Sequence, residues 1–238
     1  MTRTIVITGG SRGIGRQLAR RFHESGDRVV ITGRSARVRE TAAELGVTGI
    51  ECDASEPASV ETFAAELDGE VDVLVNMAGG NTDLTAPEPD SLKALAAQWN
   101  DNLSANLLSA VLTTAALRSR LRPGAAVINV GSIGAEYAGS SYGAAKAALA
   151  AWSAGLSAEL GPHGITVNTV APGYIEDTEF FHGKLTDERR AHLIAATHDK
   201  RPGTPDDVAA LIEFLASPHA RHLTGQTIHL NGGAYTTR

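Results

Sequence analysis

The sequence predicts an α/β chain built on a seven-stranded, mostly parallel, doubly wound sheet with helices on both faces. Three observations carry that prediction. Short apolar runs such as Ile5-Val6-Ile7 and Val71-Asp72-Val73-Leu74-Val75 read as strands buried on both sides. They alternate with segments of helical periodicity from one end of the chain to the other, as parallel strands joined by crossover helices require. Glycine-containing turns follow most of the strands, at the sheet edge where open α/β sheets take ligands. No repeat, low-complexity tract or linker interrupts the 238 residues, so a single domain is expected.

Taken in order, residues 4–8 form the first strand and residues 14–24 the first helix, with Ile14, Leu18 and Phe22 on its apolar face and Ser25-Gly26 ending it. Between them lies Gly9-Gly10-Ser11-Arg12-Gly13-Ile14-Gly15. A glycine loop between a buried strand and a helix start is an anion site: backbone N–H groups and the helix dipole both favour negative charge there. Its spacing is Gly-x-x-x-Gly-x-Gly, not the common Gly-x-Gly-x-x-Gly, and a glycine turn without a ligand is the plain alternative. Read with the strand and helix around it, the loop points to a dinucleotide and to a sheet of Rossmann type.

The second strand, residues 28–32, ends at Gly33-Arg34. An NAD-binding chain usually places a carboxylate about 20 residues past the loop, on the ribose 2′-hydroxyl. Here that place holds Arg34, and Arg12 lies in the loop itself. Arginines fork onto a 2′-phosphate that a carboxylate would repel, so NADP(H) is expected rather than NAD, unless both arginines are merely solvated.

A helix over 35–45 leads to a third strand, 49–52, followed by Asp53, which can reach an adenine edge or simply serve a turn. A helix over 57–67 precedes the fourth strand, 71–76. Asn76-Met77-Ala78-Gly79-Gly80 turns at its carboxyl end. Residues 81–90 read as a loop, 92–121 as one long helix containing Asn106 and stopped by Pro123-Gly124, and 125–130 as the fifth strand. A helix over 142–160, a sixth strand over 165–170 and the turn Ala171-Pro172-Gly173 follow. Residues 174–203 are the least regular part and suggest a lid. A helix over 205–216 and a last strand over 226–230 complete the chain.

Composition sets limits on function. A net charge of −6 argues against non-specific nucleic-acid or anionic-membrane binding, which needs a basic face. The single cysteine, Cys52, allows no intrachain disulfide, and no apolar run is long enough for a signal peptide or a membrane span. A cytoplasmic protein is expected. His219 and His222 are the only close histidine pair, and without acidic or cysteine partners at ligand spacing no metal site is expected.

The chemistry concentrates between Gly131 and Lys146. Tyr142 and Lys146 are four apart at the start of a helix and share one face. A free phenol titrates near about pH 10, and a neighbouring ammonium favours its phenolate. Such a tyrosine can exchange a proton with a carbonyl or alkoxide oxygen, and Ser132, on the preceding loop, can hydrogen-bond the same oxygen. Tyr-x-x-x-Lys on its own is common as a surface pair; the glycine loop and the strand ends around it give it weight.

Together these motifs resemble the short-chain dehydrogenase/reductase family, in its single-domain branch, over nearly the whole chain. The matching residues are Thr8-Gly9-x-x-x-Gly13-Ile14-Gly15, Asp53, Asn76-x-Ala78-Gly79, Asn106, Ser132, Tyr142-x-x-x-Lys146, Asn168, Pro172-Gly173 and the tail Gly203-Thr204-Pro205-Asp206-Asp207 through Gly232-Gly233. The resemblance implies hydride transfer between a nicotinamide and a carbonyl or secondary alcohol, with 3-oxoacyl-carrier-protein reductases among the similar enzymes. It implies Tyr142 as general acid/base, Lys146 lowering its pKa and holding the ribose, Ser132 positioning the substrate oxygen, and Asn106 bending its helix and holding a relay water. Gly9, Ser11, Arg12, Gly13, Ile14, Gly15, Arg34, Asp53, Asn76, Ala78, Gly79, Pro172, Gly173, Ile175 and Thr178 would line the cofactor. Arg12 and Arg34 match the basic positions of NADP users.

Three departures stand out. Asn76-Met77 replaces an Asn-Asn pair. The loop from Ser132 to Tyr142 is short, which alters the substrate wall. The threonine after Pro172-Gly173 is displaced by one, to Thr178. Phe180 and Phe181 hint at an apolar or acyl substrate. The alanines of the 142–160 helix, by the same resemblance, suggest a homotetramer (or a homodimer). The competing reading is a regulatory protein that senses NADP without catalysis; the presence of Asn106, Ser132, Tyr142 and Lys146 together speaks against it.

Overall fold

A computed structural model describes residues 2–137 and 139–237. Its strands are β1 (Thr4–Thr8), β2 (Arg28–Gly33), β3 (Thr48–Glu51), β4 (Val71–Asn76), β5 (Leu121–Val130), β6 (Thr166–Pro172) and β7 (Thr227–Leu230). Its helices are α1 (Gly13–Glu24), α2 (Arg37–Leu45), α3 (Pro57–Glu66), α4 (Leu92–Leu103), α5 (Ser109–Leu117), the single turn α6 (Gly134–Tyr137), α7 (Ser141–Leu160), α8 (Asp187–Ala196) and α9 (Pro205–Leu215). The strands form one sheet in the order β3-β2-β1-β4-β5-β6-β7, and every pairing is parallel, where the sequence suggested a mostly parallel sheet.

Alternating side chains of the strands fill two cores. Ile5, Ile7, Ile31, Val75 and Ile128 pack with Leu18 and Phe22 of α1 and with Val208 and Ile212 of α9. Val6, Val30, Leu74, Val127 and Val167 face the other way, onto Phe63 of α3, Leu117 of α5 and Leu156 and Leu160 of α7. Phe22 and Phe63 are both fully buried, and each such side chain contributes about 1.5–3 kcal/mol of transfer free energy.

The strand order reverses between β1 and β4, and the chain is pinned there. Thr8 Oγ1 accepts hydrogen bonds from the Met77 and Ala78 amides, each at 3.0 Å, so the turn after β4 is held against the end of β1. Gly9 takes φ +70°, and a Cβ on it would lie 3.0 Å from the Ala78 nitrogen. A Cβ on Gly15 would lie 2.4 Å from the Gly9 carbonyl oxygen, so only glycine lets α1 start this close to the loop.

Three sequence expectations need correction. The helix anticipated over 92–121 is two helices joined by a π-helical turn, Ser104–Leu108, and it ends at Leu117. Leu121 is already in β5, opposite Val71, because its buried side chain is worth more in the sheet than in another helical turn. Pro123-Gly124 therefore does not stop a helix; it lies in a bulge between the Val71–Leu121 and Val73–Ala126 pairs, with Gly124 at φ +88°. The irregular segment 174–203 contains α8, capped by Thr186, whose hydroxyl accepts from the Arg189 amide at 3.1 Å. No residue of α8 is buried, which is why its sequence carries little apolar periodicity. The loop expected between residues 132 and 142 includes α6. The other element ends agree with the sequence reading to within two residues.

Candidate active site

A groove of about 690 Å³ opens along the carboxyl ends of the strands, across the β1/β4 reversal. One end is the glycine loop, where Gly9, Ser11, Arg12, Gly13, Ile14 and Gly15 line it. Helix α1 has no side-chain cap and no acidic residue in its first turn. Its first amides thus remain available to an anion. Arg34 after β2, Asp53 after β3, and Ala78 and Gly79 after β4 continue the wall. Asp53 Oδ1 accepts from the Ser55 amide at 3.0 Å and from the Ser55 hydroxyl at 2.6 Å, so one carboxylate oxygen serves the turn.

The other end holds Ser132, Tyr142 and Lys146, with Pro172, Gly173, Ile175 and Thr178 along the side. Ser140 caps α7 by accepting from the Gly143 amide at 3.1 Å, which starts the helix where its first turn carries Tyr142 and its second Lys146 into the groove. Ser132 Oγ accepts from the Gly134 amide at 3.0 Å and lines the groove beside Tyr142. Lys146 Nζ donates to the Val130 carbonyl at 2.8 Å and lies 5.9 Å from the centre of the Tyr142 ring. The displaced Thr178 still borders the groove, 3.6 Å from where a Cβ on Gly13 would lie, and its hydroxyl donates to the Ile175 carbonyl at 3.1 Å.

Burial sets the titration of the pair. Tyr142 is pushed up to about 12 by desolvation, partly offset by the neighbouring Ser132 hydroxyl. Lys146, 5% exposed and without a carboxylate beside it, is pushed down to about 8 by burial. The sequence reading expected the ammonium to lower the phenol. In this conformation burial dominates instead, and the Phe180 ring packs against Tyr142 at a tilt, with centroids 5.6 Å apart.

Two of the residues singled out from sequence lie behind the groove wall. Asn76 is buried and donates to Thr114 Oγ1 at 2.9 Å and to Asn129 Oδ1 at 2.8 Å, tying β4 to α5 and β5. Asn106 is buried in the π turn. Its amide donates to the Gly80 carbonyl at 2.9 Å and the Asn102 carbonyl at 3.0 Å, and its oxygen accepts from the Gly80 amide at 3.1 Å. Its contacts hold the turn after β4 rather than reaching into the groove.

Sequence reasoning missed Arg37, Glu179 and the closure of Phe180. Glu179 bridges Arg12 and Arg37, with Arg37 Nη2 at 3.0 Å. Arg37 was detectable, three residues past Arg34 at a helix start; nothing in the sequence pairs it with residue 179. Among the described residues no cluster of His, Cys, Asp or Glu could hold a metal, and no helix is long and apolar enough to cross a membrane.

A doubly wound sheet, with an uncapped glycine loop at one end of its crevice and a Tyr/Ser/Lys cluster at the other, marks an α/β oxidoreductase of the dinucleotide-binding class. Residues 9–235 match the family model described as enoyl-(acyl carrier protein) reductase. The chain belongs to the short-chain dehydrogenase/reductase family. It is 35% identical over 243 residues to the 3-oxoacyl-(acyl-carrier-protein) reductase FabG of Salmonella typhimurium, covering 97% of this chain and 96% of that protein. The Escherichia coli FabG is likewise 35% identical, over 241 residues and the same shares. Among solved structures, a short-chain dehydrogenase/reductase of Brucella melitensis, described as a glucose/ribitol dehydrogenase, superposes with TM-score 0.87 at 33% identity, over 99% of this chain and 97% of that one. A blue fluorescent protein from a metagenomic library, solved in complex with NADPH, gives TM-score 0.84 at 30% identity, over 98% of both chains.

Proposed function

We propose that the chain is an NADP(H)-dependent reductase that interconverts a carbonyl and a secondary alcohol, with Tyr142 as general acid/base. The observation that carries this reading is a single groove with Ser132, Tyr142 and Lys146 at one end and the uncapped glycine loop with Arg12 and Arg34 at the other. The donor set suits a dinucleotide: amides of α1 for the pyrophosphate, Arg12 and Arg34 for a 2′-phosphate, Asp53 for the adenine side, and Lys146, Pro172, Gly173, Ile175 and Thr178 for the nicotinamide half. The similar protein solved with NADPH supports that choice over NAD. A bound nicotinamide supplies or accepts the hydride.

The chain's own residues handle the proton. With its pKa near 12, Tyr142 is protonated at neutral pH and is poised as the acid of carbonyl reduction. Ser132, which lines the groove beside Tyr142, holds the substrate oxygen where the phenol can reach it. Lys146 is mostly charged below pH 8 and stabilises the negative charge that the phenol gains as it gives up its proton. Asn106 keeps the turn at Gly80, and thus the groove floor, in place. Two hydroxyls on one oxygen suit a C=O bond better than the C=C bond of an enoyl substrate, whose proton goes to carbon. Ile133, Tyr137, Phe180, Phe181 and Leu193 give the substrate end an apolar, aromatic lining, which suits an acyl or aryl ketone.

The test follows NADPH absorbance with 3-oxoacyl and 2-enoyl thioesters and with simple ketones, using the native chain and Tyr142→Phe. Turnover of the ketones, lost in the variant with NADPH binding kept, supports the reading. Binding without turnover in the native chain would instead support an NADP-sensing regulator. The exposed small face of α7 at Ala151, Ala154 and Ala158, with exposed Leu92, Leu95 and Trp99 on α4, supports assembly into a homotetramer or homodimer. Light scattering that finds a monomer refutes that assembly.

A further inference from the structure

Beside the glycine loop a recess of about 350 Å³ lies between α1 and α2. Arg12 precedes α1 and Arg37 begins α2, and both point at one acid, Glu179, from the segment after β6. Arg12 Nη1 pairs with Glu179 Oε2, while Arg37 donates to Oε1 at 3.0 Å and to Oε2 at 3.4 Å. Two guanidinium groups around one set of anionic oxygens is how a phosphate is gripped. The next residue, Phe180, lies on Tyr142, and Phe181 packs on Phe180 with centroids 5.0 Å apart. One short strap thus touches both ends of the groove. It is bent at each side by a non-glycine residue at positive φ, Asp177 at 55° and His182 at 51°.

We propose that Glu179 is an internal stand-in for the cofactor 2′-phosphate: its carboxylate occupies Arg12 and Arg37, and a 2′-phosphorylated nucleotide displaces it and lifts Phe180 from Tyr142. The inference rests on reading the groove as a dinucleotide site. The exchange is favourable in that direction. Glu179 is about half exposed, so its pairs add little to the fold. A phosphate brings nearly twice the charge to the same donors. A 2′-hydroxyl brings none, so NADH leaves the strap closed. Glu179 and Phe180 are consecutive, about 3.8 Å apart at Cα, so a backbone shift at Glu179 carries Phe180 with it. Discrimination between the two cofactors is then built from a competitor as well as from the arginines.

The test is calorimetric titration of the full chain with 2′,5′-ADP and with 5′-AMP, neither of which carries a nicotinamide. Glu179→Gln should tighten 2′,5′-ADP about three- to tenfold, and should change 5′-AMP less than about twofold. Glu44→Gln, which removes an acid of the same recess that bonds Arg16 instead, should change both ligands less than about twofold and so separates displacement from net charge. Arg37→Gln should loosen 2′,5′-ADP. Deuterium exchange over residues 176–183 should rise with 2′,5′-ADP and not with 5′-AMP. Unchanged or weaker 2′,5′-ADP binding by Glu179→Gln, equal tightening by Glu44→Gln, or slower exchange with 2′,5′-ADP would overturn the proposal. Failure of the native chain to bind NADPH at all would sink the cofactor reading instead, and the two failures are told apart by that one titration.

Discussion

Lys146 should be a residue that the fold tolerates at a cost, and replacing it by methionine measures that cost. Burial moves the ammonium from 10.5 to about 8. At about 1.4 kcal/mol per unit, keeping it charged at neutral pH costs about 3 kcal/mol. Methionine fills a similar volume without charge but leaves the Val130 carbonyl unpaired, a loss of about 1–2 kcal/mol. Lys146→Met should therefore stabilise the chain at pH 7 by about 1–2 kcal/mol, or roughly 2–8 °C for a domain of this size, while turnover collapses. The pH dependence fixes the cause. Between about pH 8 and 10.5 the folded lysine has lost its proton and the unfolded one has not, so the native chain gains stability as pH rises through that window. The methionine variant has no such gain, so its advantage should vanish near about pH 9 and reverse by the upper end. Urea unfolding followed by tryptophan fluorescence, at about pH 7 and about pH 9.5 with protein concentration held fixed, reads both effects. A variant less stable than the native chain at pH 7, or a difference that does not change with pH, would refute the argument.

Three further outcomes are expected. Tyr142→Phe should lower turnover about 10²- to 10⁴-fold while the Kd for NADPH, measured by fluorescence, stays within about twofold. Alcohol oxidation should rise with pH between about 7 and 9, because the Tyr142 phenol must lose its proton before it can act as a base; initial rates that stay flat or fall over that range would contradict this. Gly15→Ala would put a Cβ 2.4 Å from the Gly9 oxygen, so it should destabilise the chain by about 1–3 kcal/mol and loosen nucleotide binding in parallel, as melting curves and titration would show.

Most of the fold was legible because buried parallel strands write themselves as unbroken apolar runs. Ile5-Val6-Ile7 and Val71 to Val75 need no partner to be recognised. The glycine loop was legible because Gly9 and Gly15 answer to steric demands that no other residue meets. The start of β5 was not, since Leu121 and Arg122 carry no strand pattern before Pro123-Gly124; only pairing with β4 puts them in the sheet. Helix α8 was missed for the opposite reason: none of its residues is fully buried and only Leu193 and Ile194 are half-buried, so its apolar stripe is too short to mark it. At the site, spacing gave Tyr142 and Lys146, which one helix carries. It could not give Glu179 with Arg37, which stand 142 positions apart and meet only because the parallel strands β2 and β6 both deliver the chain to the carboxyl end of the sheet.

That last pair shows where the individuality of such a chain resides. The strand ends bring the glycine loop and the Tyr/Lys helix to one crevice, and any sequence that keeps the sheet keeps that geometry. Nothing in the sheet relates the two ends to each other, since β1 and β5 are separated by β4 and each is rigid. Only a segment that spans the crevice can make the chemistry at Tyr142 depend on what is held at Arg12. Residues 177–182 are such a segment, touching Arg12 and Arg37 through Glu179 and Tyr142 through Phe180. Because their contacts are exposed ion pairs and two tilted ring contacts, Phe180 on Tyr142 and Phe181 on Tyr174, rather than core packing, each is weak enough for a ligand to break. A strap buried like β6 could not open, and one without Glu179 would have no reason to close over the empty crevice. The weakness of these contacts is therefore what makes the segment able to respond.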